Sequence, residues 1–462
     1  MFVGREKELS KLEKLYKKDA FEFAVIYGRR RVGKTTLINE FCKKKKCIYF
    51  VGIESTSGEN LQLLSEQILS VLNPDAPKNP FKNYSDAIEY IFEYANNNRI
   101  ILVIDEYPYL AGSDRAVSSI IQVAIDKYHK KSKLFLILCG SSMSFMENQV
   151  LGYKSPLYGR RTIQFKINPF DYYTSSKMLY NFSCEEKFII YGVTGGIPEY
   201  LSRVDSDVSL KENINELFFD SSGRLFEEPS NLLKQELKMP QTYNSIITAI
   251  ATGSSKLNQI ATKANIETSQ CSNMLSTLIT LGLVKKEYPI TEKISKKSIY
   301  SLEDLMFSFW YRFVLPNISK IVAGGGESVT NKVINQQLNE YLGYVFEICS
   351  IQYMWKQNLL GRLPFSFQKI GRWWGNNSVT KSQEEIDFVA FEDETAIFGE
   401  CKWKNAIVEI GVLDDLIRKA SLLTQFEKRY YMIFSKSGFS KNLLEKSESI
   451  DNVYLIKLED MF

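Results

Sequence analysis

An α/β fold built on a parallel sheet is predicted for the first third of this 462-residue chain, and three observations predict it. Short apolar runs recur at Phe23 to Tyr27, Cys47 to Val51, Ile100 to Ile104, Leu134 to Cys139 and Arg161 to Phe165. Segments of helical periodicity separate them, as a sheet with helices on both faces requires. The first run leads directly into Gly28-Arg29-Arg30-Arg31-Val32-Gly33-Lys34-Thr35-Thr36 and a helix-like segment, Thr36 to Cys42. This fits G-x-x-x-x-G-K-[ST] in its strand, loop, helix context.

The chemistry of that loop follows from its residue types. Two glycines let the backbone wrap a polyphosphate, consecutive N–H groups and the helix N-terminus face the anion, Lys34 reaches the β/γ oxygens, and Thr35 offers a hydroxyl to Mg²⁺. ATP or GTP binding is the expectation. The buried-strand pattern Arg99 to Ile104 ends in Asp105-Glu106. Asp105 is placed to enter the Mg²⁺ shell, and Glu106 to orient and deprotonate the attacking water, so hydrolysis is expected as well as binding. Leu134 to Cys139 runs into Gly140-Ser141-Ser142, where Ser141 or Ser142 is placed to sense the γ-phosphate. The same position suits a helix N-cap for Met143 to Glu147, and both roles can hold at once.

The length allows three domains of ordinary size. With 58 basic and 54 acidic residues the net charge is only +4, so any basic face for nucleic acid must be local. No apolar run approaches the roughly 18 residues of a membrane span. Met1 to Glu6 lacks the apolar core of a signal peptide, and a cytoplasmic protein is expected. Seven scattered cysteines without a C-x-x-C pair support neither a disulfide framework nor a zinc ribbon, and read as reduced packing residues. The one histidine, His129, lies in a polar context that reads as a solvated helix end. Catalysis is left to carboxylates, lysines and metal.

Residues 166 to about 230 read as mostly helical, with Gly195-Gly196 and Pro198 breaking one helix and starting the next. Phe2-Val3-Gly4-Arg5-Glu6-Lys7-Glu8-Leu9, the arginine-rich loop, Asp105-Glu106, Gly140-Ser141-Ser142, Pro156-Leu157-Tyr158-Gly159-Arg160-Arg161 and Gly195-Gly196-Ile197-Pro198-Glu199-Tyr200-Leu201 together resemble the archaeal-type P-loop ATPases of the AAA+/STAND assemblage. The resemblance spans residues 1 to about 230. It implies that Gly4-Arg5 lies by the nucleotide base and that the Gly-Gly-Ile-Pro segment belongs to a helical lid closing over the nucleotide. It also makes Arg160 or Arg161 a γ-phosphate contact, in cis or towards a neighbouring subunit of a homo-oligomer. The alternative for both arginines is a surface salt bridge flanking a strand.

Helical segments at Tyr243 to Thr252, Lys256 to Lys263 and Thr268 to Leu281, a turn at Gly282 and a strand-like Ser298 to Leu302 follow the winged helix-turn-helix plan. Ser269, Gln270, Ser272 and Asn273 on the third helix are uncharged. Lys285, Lys286, Lys293, Lys296 and Lys297 belong to the hairpin, so duplex binding would lean on phosphate contacts from the wing. A winged helix used only as a protein-protein spacer is the competing reading.

Gly324-Gly325-Gly326 reads as a flexible connection. Beyond it Tyr341 to Met354 is helical, Phe365 to Trp374, Glu384 to Phe391 and Ala396 to Lys404 are strand-like, and twelve residues separate Asp387 from Glu400-x-Lys402. Strand residues i and i+2 share a face, so Glu400 and Lys402 project together and an antiparallel neighbour can bring Asp387 beside them. Two carboxylates with a lysine make a hard-oxygen Mg²⁺ site. Glu347, Asp387, Glu400 and Lys402 resemble a PD-(D/E)XK nuclease core. Gly371-Arg372-Trp373-Trp374-Gly375 and Gly399-Glu400-Cys401-Lys402-Trp403 resemble the DUF234 domain that accompanies these ATPases. The tryptophans read as packing at the sheet edge, and each carboxylate is dispensable for folding if it lies at an open, solvent-facing site. The expected domains are an ATPase core (1–165), a helical lid (166–235), a winged helix (236–320) and an α/β restriction-endonuclease-like domain (321–462). The expected ligands are ATP, Mg²⁺ and double-stranded or branched DNA.

Overall fold

The computed structural model describes residues 2–75, 79–292, 297–377 and 381–462. Lys293 and Lys296 of the expected wing lie outside them. The chain folds into two compact units, Met1–Pro169 and Phe170–Phe462.

The first unit is a five-stranded parallel sheet in the order β2-β3-β4-β1-β5. Its strands are β1 (Glu22–Tyr27), β2 (Cys47–Val51), β3 (Ile100–Asp105), β4 (Leu134–Gly140) and β5 (Ile163–Lys166). Every residue of β1, β3 and β4 is buried, because inner parallel strands are covered on both faces. The edge strand β2 alternates: Ile48 and Phe50 face the core, while Cys47 and Tyr49 are half-buried and Val51 is exposed. The helices are α1 (Glu6–Tyr16), α2 (Lys34–Cys42), α3 (Ser57–Leu72), α4 (Tyr84–Ala95), α5 (Tyr107–Ser113) and α6 (Val117–Tyr128). Thr56 and Asn83 cap α3 and α4 by accepting the Glu59 and Asp86 N–H groups. Parallel strands deliver all their carboxyl ends to one edge, so the loop after β1, Asp105 after β3 and Ser141 after β4 share it. The helix expected at Met143 to Glu147 is shorter, Met143–Phe145, followed by a wide turn at Met146–Val150.

In the second unit, helix Cys184–Thr194 ends at Gly195 (φ 66) and Gly196 (φ 68). A Cβ at Gly196 would lie 2.1 Å from the Phe170 carbonyl oxygen, so only glycine fits. Helix Pro198–Leu201 then begins at its proline. The winged helix is formed by helices Pro240–Ala251, Leu257–Ala264 and Thr268–Thr280 and the antiparallel pair β6 (Val284–Glu287) and β7 (Ile299–Leu302). A second five-stranded sheet runs β12-β11-β10-β9-β8. It comprises β8 (Lys369–Asn376), β9 (Gln383–Glu392), β10 (Thr395–Lys402), β11 (Lys428–Ser435) and β12 (Val453–Lys457).

The flexible connection expected at Gly324-Gly325-Gly326 is instead part of a helical passage, kinked at Gly324 (φ 87) and continuing as helix Gly326–Lys332. A Cβ at Gly326 would fall 1.9 Å from the Phe219 carbonyl oxygen, so this glycine permits a close backbone approach. The segments expected as lid, winged helix and nuclease-like domain are also joined by buried hydrogen bonds. The Trp310 indole N–H donates to the Phe226 carbonyl, and the Tyr341 hydroxyl bonds the carbonyls of Gly192 and Leu305. They form one unit because each leaves an apolar face that the others cover. Among the described residues, no helix is long and apolar enough to cross a membrane.

Candidate functional site

The phosphate loop is shaped by its glycines. A Cβ at Gly28 would lie 2.3 Å from the Ile167 carbonyl oxygen, and Gly33 (φ 90) forms the left-handed entry to α2. The Arg5 guanidinium donates to the Val32 carbonyl at 3.2 Å and to that of Asn168, tying the N-terminal motif to the back of the loop. Lys34 is buried, with Nζ 2.8 Å from the Gly28 carbonyl and 2.9 Å from that of Arg29. Burial lowers its pKa, against the pull of Cys139, Glu106 and Asp105. Asp105 is held by three donors: the Thr35 hydroxyl at 3.2 Å and the Tyr49 hydroxyl at 2.7 Å on Oδ2, and the Glu106 N–H at 2.9 Å on Oδ1. Glu106 itself is left-handed (φ 48, ψ 44) at the start of α5, and its Oε2 accepts from Ser141 Oγ at 3.0 Å. Arg30 reaches the Tyr109 hydroxyl at 3.1 Å, while Thr35 and Thr36 are exposed.

Arg160 makes a two-pronged ion pair with Asp126, at 2.8 and 2.7 Å, and donates to the Pro156 carbonyl at 3.0 Å. That is the surface-salt-bridge arrangement weighed against a phosphate contact. Tyr49 is the residue sequence reasoning missed. Its signal was the alternation of β2, which puts a hydroxyl-bearing side chain on the face opposite the Ile48 and Phe50 core positions.

In the second unit, the β9–β10 ladder pairs Phe388 with Gly399, so one further step sets Asp387 across from Glu400. Directly opposed residues share a face, with Cβ atoms about 5 Å apart. Asp387 Oδ2 accepts the Cys401 N–H at 2.7 Å. Glu400, only 7% exposed, pairs with Lys402 and, at 3.7 Å, with Lys419 of helix Gly411–Ala420. Glu347, on the long helix Leu338–Leu359, lies 3.5 Å from Arg372, which also pairs with Glu385. The Oε2 atoms of Glu347 and Glu400 are buried and make no hydrogen bond. Among the described residues, no group of three or more Asp, Glu, His or Cys side chains is disposed to hold a metal ion. Lys419, Arg372 and Glu385 join the cluster only through the fold.

A model of an ATPase domain found predominantly in Archaea matches residues 2–204, and one of archaeal and bacterial proteins of unknown function, DUF234, matches residues 310–413. An uncharacterised protein of Methanocaldococcus jannaschii is 35% identical over 457 residues, covering 96% of this chain and 97% of that one. The chain belongs to the archaeal ATPase family. An uncharacterised ATP-binding protein of the same organism is 48% identical to this ATPase over 46 residues, 10% of this chain and 78% of that one. The solved Walker-type ATPase of Pyrococcus abyssi shares its fold, with a TM-score of 0.50 and 20% identity over 67% of this chain and 96% of that one.

In this ATPase the carboxylate cluster is largely withdrawn from solvent: Glu400 is buried, and Asp387, Glu347 and Lys402 are half-buried. Burial raises the Asp387 pKa, reinforced by the Glu400 charge and opposed by the Cys401 N–H and Lys402. Burial likewise raises that of Glu347, reinforced by Asp387 and opposed by Arg372. Burial disfavours the Lys402 ammonium, but Glu400 outweighs it and holds the lysine above its ordinary value. The tryptophans pack: Trp373 and Trp374 are buried on the edge strand β8, and Trp403 stacks on Phe188 at 4.2 Å.

The wing is engaged within its own unit. The Ile290 N–H donates to the Arg372 carbonyl at 2.9 Å, and Lys285 and Lys297 pair with Glu287 and Glu292. Lys286 lies over the rings of Tyr288 and Tyr300. On the third helix Ser269, Gln270 and Asn273 are exposed and Ser272 is half-buried.

Proposed function

We propose that this ATPase is Mg²⁺-dependent and that its nucleotide cycle governs a DNA-directed, phosphodiester-cleaving activity of the C-terminal sheet. In the first unit the Thr35 hydroxyl and Asp105 Oδ2, 3.2 Å apart, form the hard-oxygen pair that would hold Mg²⁺. Bound there, the ion would neutralise charge on the phosphates. Lys34 binds the β/γ-phosphates and Glu106, aimed by Ser141, takes the proton of the attacking water. In the second unit Asp387 and Glu400 would hold the metal and Lys402 would activate the water, with Glu347 in support.

The observation that carries the cleavage reading is Glu400 Oε2, a buried carboxylate oxygen without a hydrogen bond beside Asp387 and Lys402, its nearest cation the Lys419 ammonium at 3.7 Å. Lys419 at that distance supplies charge but no hydrogen bond, and a metal ion would complete the coordination of this oxygen. The test is a nuclease assay with ATP and Mg²⁺ or Mn²⁺ on linear and branched duplex DNA, beside Asp387→Ala. Cleavage by the wild type alone supports the proposal. The paired wing lysines favour a second reading, a nucleotide switch working through protein contacts. Nucleotide-dependent oligomerisation with no cleavage and no salt-dependent duplex affinity would establish it.

Tyr49→Phe is expected to raise the Mg²⁺ concentration for half-maximal ATP hydrolysis by roughly tenfold or more, because it removes a hydrogen bond that orients the metal-binding carboxylate. A Mg²⁺ titration at saturating ATP measures this. An unchanged midpoint would make the Tyr49–Asp105 contact purely structural.

A further inference from the structure

Cys42 is the last residue of α2 and Cys47 the first of β2, and their sulfur atoms are 3.4 Å apart. Both are half-buried and reachable, unlike the fully buried Cys139, Cys271 and Cys349. Between them runs Lys43-Lys44-Lys45-Lys46, turned tightly through a left-handed Lys44 (φ 60). Two thiols in contact and half-exposed, bracketing four lysines of which Lys43 and Lys45 pair with Glu40 and Glu13, differ from the isolated packing cysteines that the sequence suggested. We propose that Cys42 and Cys47 are a reversible redox site that closes to a disulfide by exchange with an anionic low-molecular-weight disulfide.

The pair has the two features such exchange needs. The Cys47 thiol and the Lys45 charge lower the Cys42 pKa, whereas the Cys42 sulfur and burial raise that of Cys47, so Cys42 is the attacking thiolate. It displaces one thiolate from the small disulfide and carries the other half as a mixed disulfide. Cys47 then loses its proton to solvent and attacks the Cys42 sulfur, expelling the second thiolate. Two protein thiols are oxidised and one small disulfide is reduced to two thiols. The bond would join the end of α2, whose first turn carries Lys34 and Thr35, to the strand whose Tyr49 holds Asp105.

The test uses the full chain and oxidised glutathione, read by iodoacetamide labelling and peptide mass. The expected result is loss of labelling at both cysteines, a Cys42–Cys47 cross-link, and full recovery with dithiothreitol. Cys47→Ser should instead accumulate a glutathione adduct on Cys42, and the double serine variant should give neither product. Continued labelling of both cysteines in oxidised wild type would overturn the proposal. So would a stable glutathione adduct on each cysteine without the cross-link.

Discussion

Lys34→Ala is expected to lose tight ATP binding and essentially all ATP hydrolysis, the largest effect anticipated in this protein. Lys34 is buried against the Gly28 and Arg29 carbonyls, so its ammonium already sits inside the loop that would enclose the phosphates. A hydrogen bond to a charged group contributes about 1.5–3 kcal/mol, which predicts roughly a 10- to 100-fold weaker affinity. Losing a preorganised charge on the transferring phosphoryl group costs a further factor of about 10²–10³ in rate. Glu106→Gln separates the two effects. The amide retains the left-handed backbone and a partner for Ser141 but cannot accept a proton, so ATP should bind as in wild type while turnover falls by about 10²–10⁴. Fluorescent-nucleotide titration and phosphate release measure both. Wild-type turnover in Glu106→Gln would assign the water to another residue.

Asp387→Asn is expected to abolish the proposed DNA cleavage and, without divalent metal, to stabilise the protein at alkaline pH. A carboxylate at an open site would be dispensable for folding; desolvation of Asp387 beside Glu400 and Glu347 predicts one that opposes folding when ionised. The sign follows from proton counts. Asp387 and Glu347 have folded-state pKa values raised to about 7 and about 8, so the native state binds more protons than the unfolded chain between pH 4 and 8. Stability therefore falls as pH rises through that window. Asparagine removes the Asp387 share, and its advantage over wild type should grow by about 2 to 3 kcal/mol between pH 5 and 8. Thermal melts of both proteins across that range, with and without Mg²⁺, test this. A pH-independent difference would mean that Asp387 is not held in a charge-excluding site.

By itself the sequence determined the parts whose signals are local. Phe23 to Tyr27 followed by Gly28 to Thr36, and an apolar strand ending in Asp105-Glu106, specify a phosphate loop and its carboxylates because strand burial and loop chemistry are written in consecutive residues. That Asp387 comes beside Glu400 was legible for the same reason: strand alternation and an antiparallel neighbour, whose ladder runs to Phe388 and Gly399, fix which side chains share a face. Tertiary structure decided what depends on crossovers and register. It put Tyr49 of the edge strand onto Asp105, gave Arg160 to Asp126, and surrounded Glu400 and Glu347 with Lys419 and Arg372. It also turned Gly326 from an apparent linker into a close helix contact with Phe219. None of these partners is near its counterpart along the chain. A side chain's burial, and with it the energy of its charge, is set by neighbours that only the folded chain supplies.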